Sequence, residues 1–336
     1  MTWGLIGHAW AVELLRRHRT TGNLRHAYLF TGPDGVGKRT LALRFAQALL
    51  CQAPPSPGDF CSDDPSDPNA CRACRLTMSR IHPDVHVVEA EEVGGTLKVE
   101  QVRRLQRQLA LTPLEGRWRI AFLPRFHEAS ASAANALLKT LEEPAAPVVL
   151  LLTASAPEAL LPTIVSRCEG IPLRPVATPE LEGILQARGM SAEEARLMAA
   201  LAGGRPGWAL RLSAEPSTLQ RRVSALDDLA GLLGETRAGR FAYAERLSKD
   251  RRKTTEALEV WLSLWRDVLL VAHAVATPSG NPDRESQIAR LAAEVDPGAS
   301  LLALQATQRT LEAIGKNANV QLALETLMLD FPYSRG

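Results

Sequence analysis

The chain has no strong excess of charge of either sign. Its 336 residues carry 39 lysines and arginines against 37 acidic residues, so the net charge is only +2. Bulk electrostatic attraction to nucleic acid is therefore not indicated. Long apolar runs are also missing, because the most apolar stretch, residues 148–152, is far too short to span a bilayer and predicts a buried strand instead.

The first ten residues lack the basic and then apolar segment of a secretory signal. Together with the missing membrane span, this predicts a cytoplasmic protein with no membrane partner.

Cysteine is scarce as well, with five residues, but four of them lie between positions 51 and 74. In a reducing compartment such clustering indicates metal ligands rather than disulfides. The segment between them is rich in Pro, Asp and Ser, which is not typical of a helix or a strand. The fifth cysteine, Cys168, stands alone, and a lone cysteine is most often a small buried apolar side chain.

Residues 31–40, TGPDGVGKRT, match a phosphate-binding loop except at one position. The pattern G-x-x-x-x-G-K-[ST] is met by Gly32, Gly37 and Lys38, but Arg39 stands where the hydroxyl belongs. The functional interpretation is a nucleotide phosphate site, in which glycines allow close backbone approach and the lysine pairs with phosphates. The alternative is a loop retained only for its shape.

The sequence around the loop fits a phosphate site, but the groups that would bind Mg²⁺ are missing. A strand over 26–32 and a helix over 38–50 are predicted, so loop amides and the helix N-terminus would favour an anion. Magnesium needs a hydroxyl directly after the lysine and a carboxylate at the end of a neighbouring strand. Thr40 comes one residue too late, and Pro124 and Arg125 follow the strand RIAFL. Hydrolysis by this chain alone is therefore not expected.

Strands and helices alternate up to about residue 173, which predicts an α/β fold with a mostly parallel sheet. Strands are predicted over 26–32, 84–89, 117–123 and 148–155, and helices over 38–50, 99–111 and 129–142. Beyond residue 173 the pattern is helical. Residues 317–331 are apolar over most of their surface, which predicts a helix packed on several sides.

Four stretches carry a family resemblance: IGHAWAVELLRRHRTTGNLRHAYLFTGPDGVGKRTLALRFAQALLC, CRACR followed by HPDVH, AANALLKTLEEP, and LLPTIVSRCEGIPLRP. They resemble the bacterial clamp-loader branch of the AAA+ proteins, well from residue 4 to about 212 and more loosely beyond. The resemblance implies an AAA+ α/β domain over 1–173, with a zinc module at 51–74. It also implies a three-helix lid over 174–212 and an all-helical collar for oligomerisation over 213–336.

Within that branch the chain resembles the delta prime type more than the gamma/tau motors. The motors have a complete phosphate loop, an Asp-Glu pair after the strand and a lid arginine, whereas this chain has Arg39, then Pro124 and Arg125, and Gly207. The resemblance implies a non-hydrolysing stator with weak or absent ATP binding. An ATP-hydrolysing motor is the alternative. The degenerate nucleotide site would comprise Gly32, Gly35, Gly37, Lys38 and Thr40.

The resemblance also assigns a role to Ser166, Arg167 and Cys168, the family's SRC triplet. It implies that Arg167 projects into the ATP site of a neighbouring subunit and acts there in trans. The partners implied are gamma/tau and delta subunits, the sliding clamp and, in the assembly, primed DNA.

The family's zinc module implies a structural zinc bound by Cys51, Cys61, Cys71 and Cys74. The second gap, between Cys61 and Cys71, is longer here than in the family, so a site completed by His82 and an empty site remain alternatives. A third function, a zinc-containing nucleic-acid binder, is disfavoured because this segment is acidic. Its acidic residues are Asp59, Asp63, Asp64 and Asp67.

Overall fold

The computed structural model describes residues 3–64, 66–91, 95–144, 147–316 and 318–333. The chain divides into two compact units, one of Met1–Ile184 with Gly204–Trp208 and one of Leu185–Gly203 with Ala209–Gly336. The three-part division at residues 173 and 212 stays a prediction.

The first unit contains a five-stranded sheet. Its strands are β1 (Ala27–Thr31), β2 (Val85–Val87), β3 (Arg119–Leu123), β4 (Val148–Ala154) and β5 (Glu169–Pro172). Its helices are α1 (Ala9–Thr20), α2 (Lys38–Leu50), α3 (Arg72–Met78), α4 (Val99–Leu109), α5 (Ala131–Glu142) and α6 (Pro162–Val165).

The rest of the chain is helical, as predicted. The helices are α7 (Thr178–Ala187), α8 (Ala192–Ala202), α9 (Pro206–Ala214), α10 (Pro216–Gly234), α11 (Arg237–Ser248), α12 (Arg251–Ala272), α13 (Glu285–Glu294), α14 (Pro297–Gly315) and α15 (Val320–Asp330). Among the described residues, no helix combines the length and the apolar character needed to cross a membrane.

The sheet is parallel throughout and has the order β2-β3-β4-β1-β5. All residues of β1, β3 and β4 are buried, which explains why these strands read as continuous apolar runs rather than alternating ones. Successive side chains of β1 point to opposite faces: Tyr28 and Phe30 join one apolar cluster, while Ala27 and Leu29 join another. The carboxyl end of β1 leads into the phosphate-type loop.

The four predicted strands are confirmed, but the sequence did not predict β5. This edge strand pairs with β1 alone, and only Ile171 among its four side chains is buried. Because this strand is held to the sheet by backbone hydrogen bonds, its sequence lacks the apolar pattern that is typical of buried strands.

The second unit has its own apolar core, which includes the fully buried Trp261 and Trp265. The prediction that α15 packs on several sides is wrong for part of the helix, because Leu322 and Leu329 are 64% and 57% exposed. Helix α15 packs against α11 and α14 and buries Leu324, Leu327 and Met328 on that side. Asn317, where the predicted helix begins, lies outside the described residues.

Arg240 is the buried cation of this second core and was not singled out from the sequence. It is 1% exposed, and its guanidinium donates to carbonyl oxygens at the ends of two helices. These are the oxygens of Leu232, Leu233, Met328, Phe331 and Pro332. The last carbonyls of a helix have no partner within the helix, so one guanidinium satisfies the ends of α10 and α15 together.

Candidate functional site

The phosphate-type loop joins β1 to α2, as the sequence predicts, and its glycines are required by the backbone. Gly32, Gly35 and Gly37 have φ angles of 138°, 82° and 113°, in the region that side chains disfavour. A Cβ atom at Gly32 would lie 2.2 Å from the carbonyl oxygen of Leu173. The backbone of this loop therefore favours glycine at these positions.

Lys38 points back into its own loop. Its ammonium donates to the carbonyl oxygens of Gly32 and of Pro33, the latter at 3.0 Å, and to Asp34 Oδ1 at 3.2 Å. An ammonium has three N–H donors, so these three contacts use all of them. A phosphate entering the loop would have to displace them.

Arg39 and Arg125 form an ion-pair cluster at the positions where magnesium ligands would stand. Both terminal nitrogens of Arg39 donate to the carboxylate of Glu89, at 3.1 and 3.0 Å. Arg125 reaches Glu89 at 3.3 Å through Nη1 and both oxygens of Glu128 at 3.0 Å through Nε. Two guanidinium groups at this point repel a divalent cation, and the two carboxylates are already paired with them.

Gly207, which stands where the motors of the family have arginine, contacts the same loop. Its N–H donates to the carbonyl oxygen of Gly35 at 2.7 Å, and a Cβ atom at Gly207 would lie 3.0 Å from that oxygen. This close backbone approach favours glycine here.

Arg167 lies in the turn after α6, and its side chain is 35% exposed. It donates from Nη2 to Glu142 Oε1 at 2.8 Å and from Nη1 to the carbonyl oxygen of Thr163 at 2.9 Å. The neighbouring Ser166 hydroxyl donates to the same carbonyl at 3.2 Å. Cys168 packs against the apolar cluster beneath, and burial raises the pKa of its thiol to about 12. Of the triplet, Cys168 offers little chemistry to another molecule, because a protonated thiol is a poor nucleophile, and Arg167 is the charged member.

The thiols of Cys51, Cys61, Cys71 and Cys74 converge. Their Sγ atoms all lie within 4.8 Å of one another, and those of Cys51 and Cys71 are 3.9 Å apart. Tetrahedral coordination with metal–sulfur bonds of about 2.3 Å requires sulfur–sulfur separations of about 3.8 Å. Cys61 therefore reaches the cluster despite the long second gap, and His82 is not part of it.

Without a cation, ionisation of one of these thiols is favoured at the expense of another. The hydrogen bond from the Cys74 thiol lowers the pKa of Cys51 to about 5, and the same bond, with burial, raises the pKa of Cys74. Burial also raises the pKa of Cys61. A divalent cation removes this conflict because it stabilises all four thiolates at once. The four cysteines can thus hold a metal ion.

Asp59 connects the cysteine segment to the beginning of the chain. Its carboxylate accepts from Trp3 Nε1 at 2.8 Å, from Arg16 Nη2 at 2.6 Å and from Ser56 Oγ at 2.6 Å. The residue is only 6% exposed. Of the four acidic residues that the sequence analysis named in this segment, Asp59 is therefore buried and paired with Arg16.

A second buried and hydrogen-bonded carboxylate of the first unit was missed from the sequence. Asp84, within HPDVH, is buried and accepts backbone N–H bonds from Leu114, Glu115 and Gly116 at 2.7, 2.8 and 2.8 Å. Burial raises its pKa, but the three donors outweigh this effect, so the pKa lies below the ordinary value for aspartate. An aspartate immediately before a strand was the available signal, since such side chains commonly accept backbone N–H bonds.

Comparison with known proteins adds to this geometry. A family model described as DNA polymerase III, delta subunit, matches residues 7–177, about half of the chain. DNA polymerase III subunit delta′ of Pseudomonas aeruginosa is 41% identical over 211 residues, which are 62% of this chain and 61% of that protein. DNA polymerase III subunit delta′ of Bacillus subtilis is 29% identical over 95% of this chain and 94% of its own length.

The chain belongs to the DNA polymerase III delta prime family. Among solved structures, a DNA polymerase III gamma subunit-related protein from Thermotoga maritima is similar with 17% identity and a TM-score of 0.45, over 95% of this chain and 97% of that one. The architecture expected from the resemblance, an α/β domain with a parallel sheet followed by helical parts, is confirmed by the sheet and the helices described above.

In this delta prime family member, the structure places four of the five predicted nucleotide-site residues together and one apart. Gly32, Gly35, Gly37 and Lys38 share one loop, whereas Thr40 is exposed on α2. The sequence analysis missed Glu89 as a partner of the two arginines. Two neighbouring arginines that are partly buried need carboxylates as ion-pair partners. Glu89 is the last residue of the predicted strand over 84–89, so it could have been inferred as such a partner.

Proposed function

We propose that this chain is a clamp-loader subunit of DNA polymerase III that hydrolyses no ATP itself and completes the ATP site of a neighbouring subunit through Arg167. The observation that carries the proposal is a contrast within the first unit. The ammonium of Lys38 is paired within the phosphate-type loop and its side chain is 8% exposed, whereas the side chain of Arg167 is 35% exposed. The names of the delta′ relatives agree with such a role.

Arg167 would act electrostatically on the neighbour's nucleotide. During phosphoryl transfer, negative charge develops on the oxygens of the transferred group, and a positioned guanidinium stabilises that charge. An arginine supplied in trans raises the hydrolysis rate by roughly 10³ to 10⁵. Ser166 would support the turn, and Cys168 would anchor it in the apolar core.

We further propose that the four cysteines bind zinc. Four thiolates at tetrahedral spacing leave no open coordination position, so the metal would be structural rather than catalytic. Its role would be to hold residues 51–74, which otherwise have little regular structure before α3.

The helical second unit would supply contacts to the other loader subunits. Four leucines on α14 and α15 are exposed: Leu301, Leu302, Leu322 and Leu329, by 41%, 58%, 64% and 57%. Such a set of apolar side chains is more typical of an interface than of a free surface. We propose gamma/tau and delta subunits as the partners. Contact with the sliding clamp and primed DNA would follow from the assembled ring, and all of this would take place in the cytoplasm.

The experiment is steady-state ATP hydrolysis in the presence of clamp and primed DNA. The chain alone is compared with a loader reconstituted from this chain and its gamma/tau and delta subunits, with wild type, Arg167→Ala and Arg174→Ala. Arg174 is a matched control because it is an exposed arginine of the same unit that forms no ion pair among the described residues.

The proposal predicts no hydrolysis by the chain alone and a marked loss of loader turnover with Arg167→Ala only. Hydrolysis by the isolated chain would instead indicate the alternative, an ATP-hydrolysing motor. Equal turnover in all three loaders would contradict the trans role.

A further inference from the structure

Glu142 is the carboxylate that holds Arg167, and it comes from a separate helix. It is the last residue of α5, and its Oε1 atom lies 2.8 Å from Arg167 Nη2. The carbonyl oxygen of Thr163 in α6 accepts from Nη1 at 2.9 Å. Two acceptors on two different helices therefore define both the position and the plane of the guanidinium.

The location of Glu142 is unfavourable for a carboxylate considered alone. A helix C-terminus carries partial negative charge, so an acidic residue in the last turn is destabilising unless a cation is near. Arg167 supplies that cation. Yet the two side chains are 35% and 50% exposed, and ion pairs at this exposure contribute little to folding stability. Stability alone thus gives a weak reason for the pair, whereas orientation of the arginine gives a specific one.

We propose that Glu142 is a positioning residue for Arg167, a role that rests on the function proposed above. The carboxylate takes one N–H of Nη2, and the Thr163 carbonyl and the Ser166 hydroxyl, at 2.9 and 3.5 Å, take those of Nη1. Each terminal nitrogen of a guanidinium carries two N–H groups, so the second N–H of Nη2 remains for a phosphoryl oxygen of the neighbouring subunit. Glu142 fixes the direction of those donors before the subunits meet, which lowers the cost of ordering a long side chain in the transition state.

The test measures ATP turnover by the reconstituted loader, with kcat and KM for ATP determined separately. The variants are Glu142→Ala, Glu142→Gln, Arg167→Ala and the double variant Glu142→Ala/Arg167→Ala. Glu143→Ala is the matched control, because Glu143 is the adjacent exposed carboxylate and Arg167 pairs with Glu142 alone among the described residues.

A misplaced catalytic group typically loses one to two orders of magnitude in rate, so we expect kcat to fall about tenfold with Glu142→Ala. The fall should be smaller with Glu142→Gln, which keeps an acceptor, and KM should change less than twofold. Glu143→Ala should match wild type. In the Arg167→Ala background, Glu142→Ala should cause no further loss, because a residue that acts through Arg167 has nothing left to position.

Three results would overturn the inference while the proposed function stands. These are an unchanged kcat with Glu142→Ala, a raised kcat, which would mean that Glu142 restrains the arginine, and a further loss in the Arg167→Ala background, which would indicate a merely structural role. If Arg167→Ala itself leaves turnover unchanged, the proposed function fails and the inference fails with it.

Discussion

The phosphate-type loop and the turn of Arg167 both contain cationic groups, but the lysine of the loop and the arginine of the turn differ in accessibility. The side chain of Lys38 is 8% exposed and donates only to oxygens of its own loop. Arg39 and Arg125, beside it, share the carboxylate of Glu89. Arg167 is also paired, with Glu142, but its side chain is 35% exposed. The lysine is enclosed by its loop, whereas Arg167 stays accessible to a neighbouring molecule.

The loop also teaches that packing alone can require the glycines of a phosphate-type loop. Gly32 and Gly35 have positive φ angles, and Cβ atoms at these positions would lie 2.2 Å from the carbonyl oxygen of Leu173 and 3.1 Å from the backbone nitrogen of Trp208. These contacts favour glycine whether or not a nucleotide is bound. The departures from the phosphate-loop pattern are instead in side chains, at positions 39, 124 and 125.

The largest effect on stability is expected at the four clustered cysteines. It tests whether the first unit, which contains both compared regions, depends on an intact cysteine segment. Cys74→Ser should lower the free energy of unfolding by more than about 3 kcal/mol, because metal binding in such sites is coupled to folding. Chelation of wild type should have a similar effect, measured by thermal unfolding with and without a chelator. Metal content is measured in parallel.

Cys168→Ser is the control for that experiment, since Cys168 lies outside the four-thiol cluster. The variant should retain a full complement of metal. Equal metal content and equal stability in Cys74→Ser and wild type would contradict the assignment.

A smaller loss is expected at Asp84, which anchors the strand that leads to Glu89. Asp84→Asn should lower the free energy of unfolding at pH 7 by about 2 kcal/mol, because three backbone donors lose a buried, charged acceptor. The folded pKa of Asp84 is below the unfolded value of about 3.9, so this stabilisation is present above that value and is lost as pH falls through the folded pKa. Urea unfolding of both proteins at pH 7 and at lower pH measures the difference.

The difference in free energy of unfolding between wild type and Asp84→Asn should therefore become smaller below about pH 4. Asp63→Asn changes a half-exposed side chain, so it should leave the free energy of unfolding nearly unchanged at every pH. A gap that is constant with pH would show that the effect is not due to the carboxylate charge.

The smallest effect on stability is expected at Glu89, and it tests directly whether this carboxylate neutralises the arginines beside the phosphate-type loop. Glu89→Gln leaves Arg39 and Arg125 without their shared counter-ion, but the three side chains are 20–33% exposed, so the loss of stability should be only about 1 kcal/mol. The variant should also gain thermal stabilisation from inorganic pyrophosphate that wild type lacks. Glu91→Gln, in the same cleft, should not. Equal stabilisation of wild type by pyrophosphate would contradict the view that the charge is neutralised.

The sheet, the phosphate-type loop and the cysteine cluster could be predicted from the sequence because each has a local sequence pattern. Buried strands are continuous apolar runs, the loop has fixed glycines, and clustered cysteines indicate a metal. The sequence analysis missed β5, which is held by backbone bonds, and it missed Glu89, Asp84 and Arg240. The partners of these side chains are distant in sequence, as far as 92 residues for Arg240. Contacts of that kind are set by the tertiary fold, which periodicity does not encode.

The most direct test of the central claim compares Lys38→Met and Arg167→Ala in the same reconstituted loader, with steady-state ATP hydrolysis as the readout. The account predicts that the loader with Lys38→Met hydrolyses ATP at the wild-type rate, because that ammonium donates only to oxygens of its own loop. Arg167→Ala should lose the hydrolysis at the site it completes. A strong loss with Lys38→Met, or full turnover with Arg167→Ala, would contradict the account.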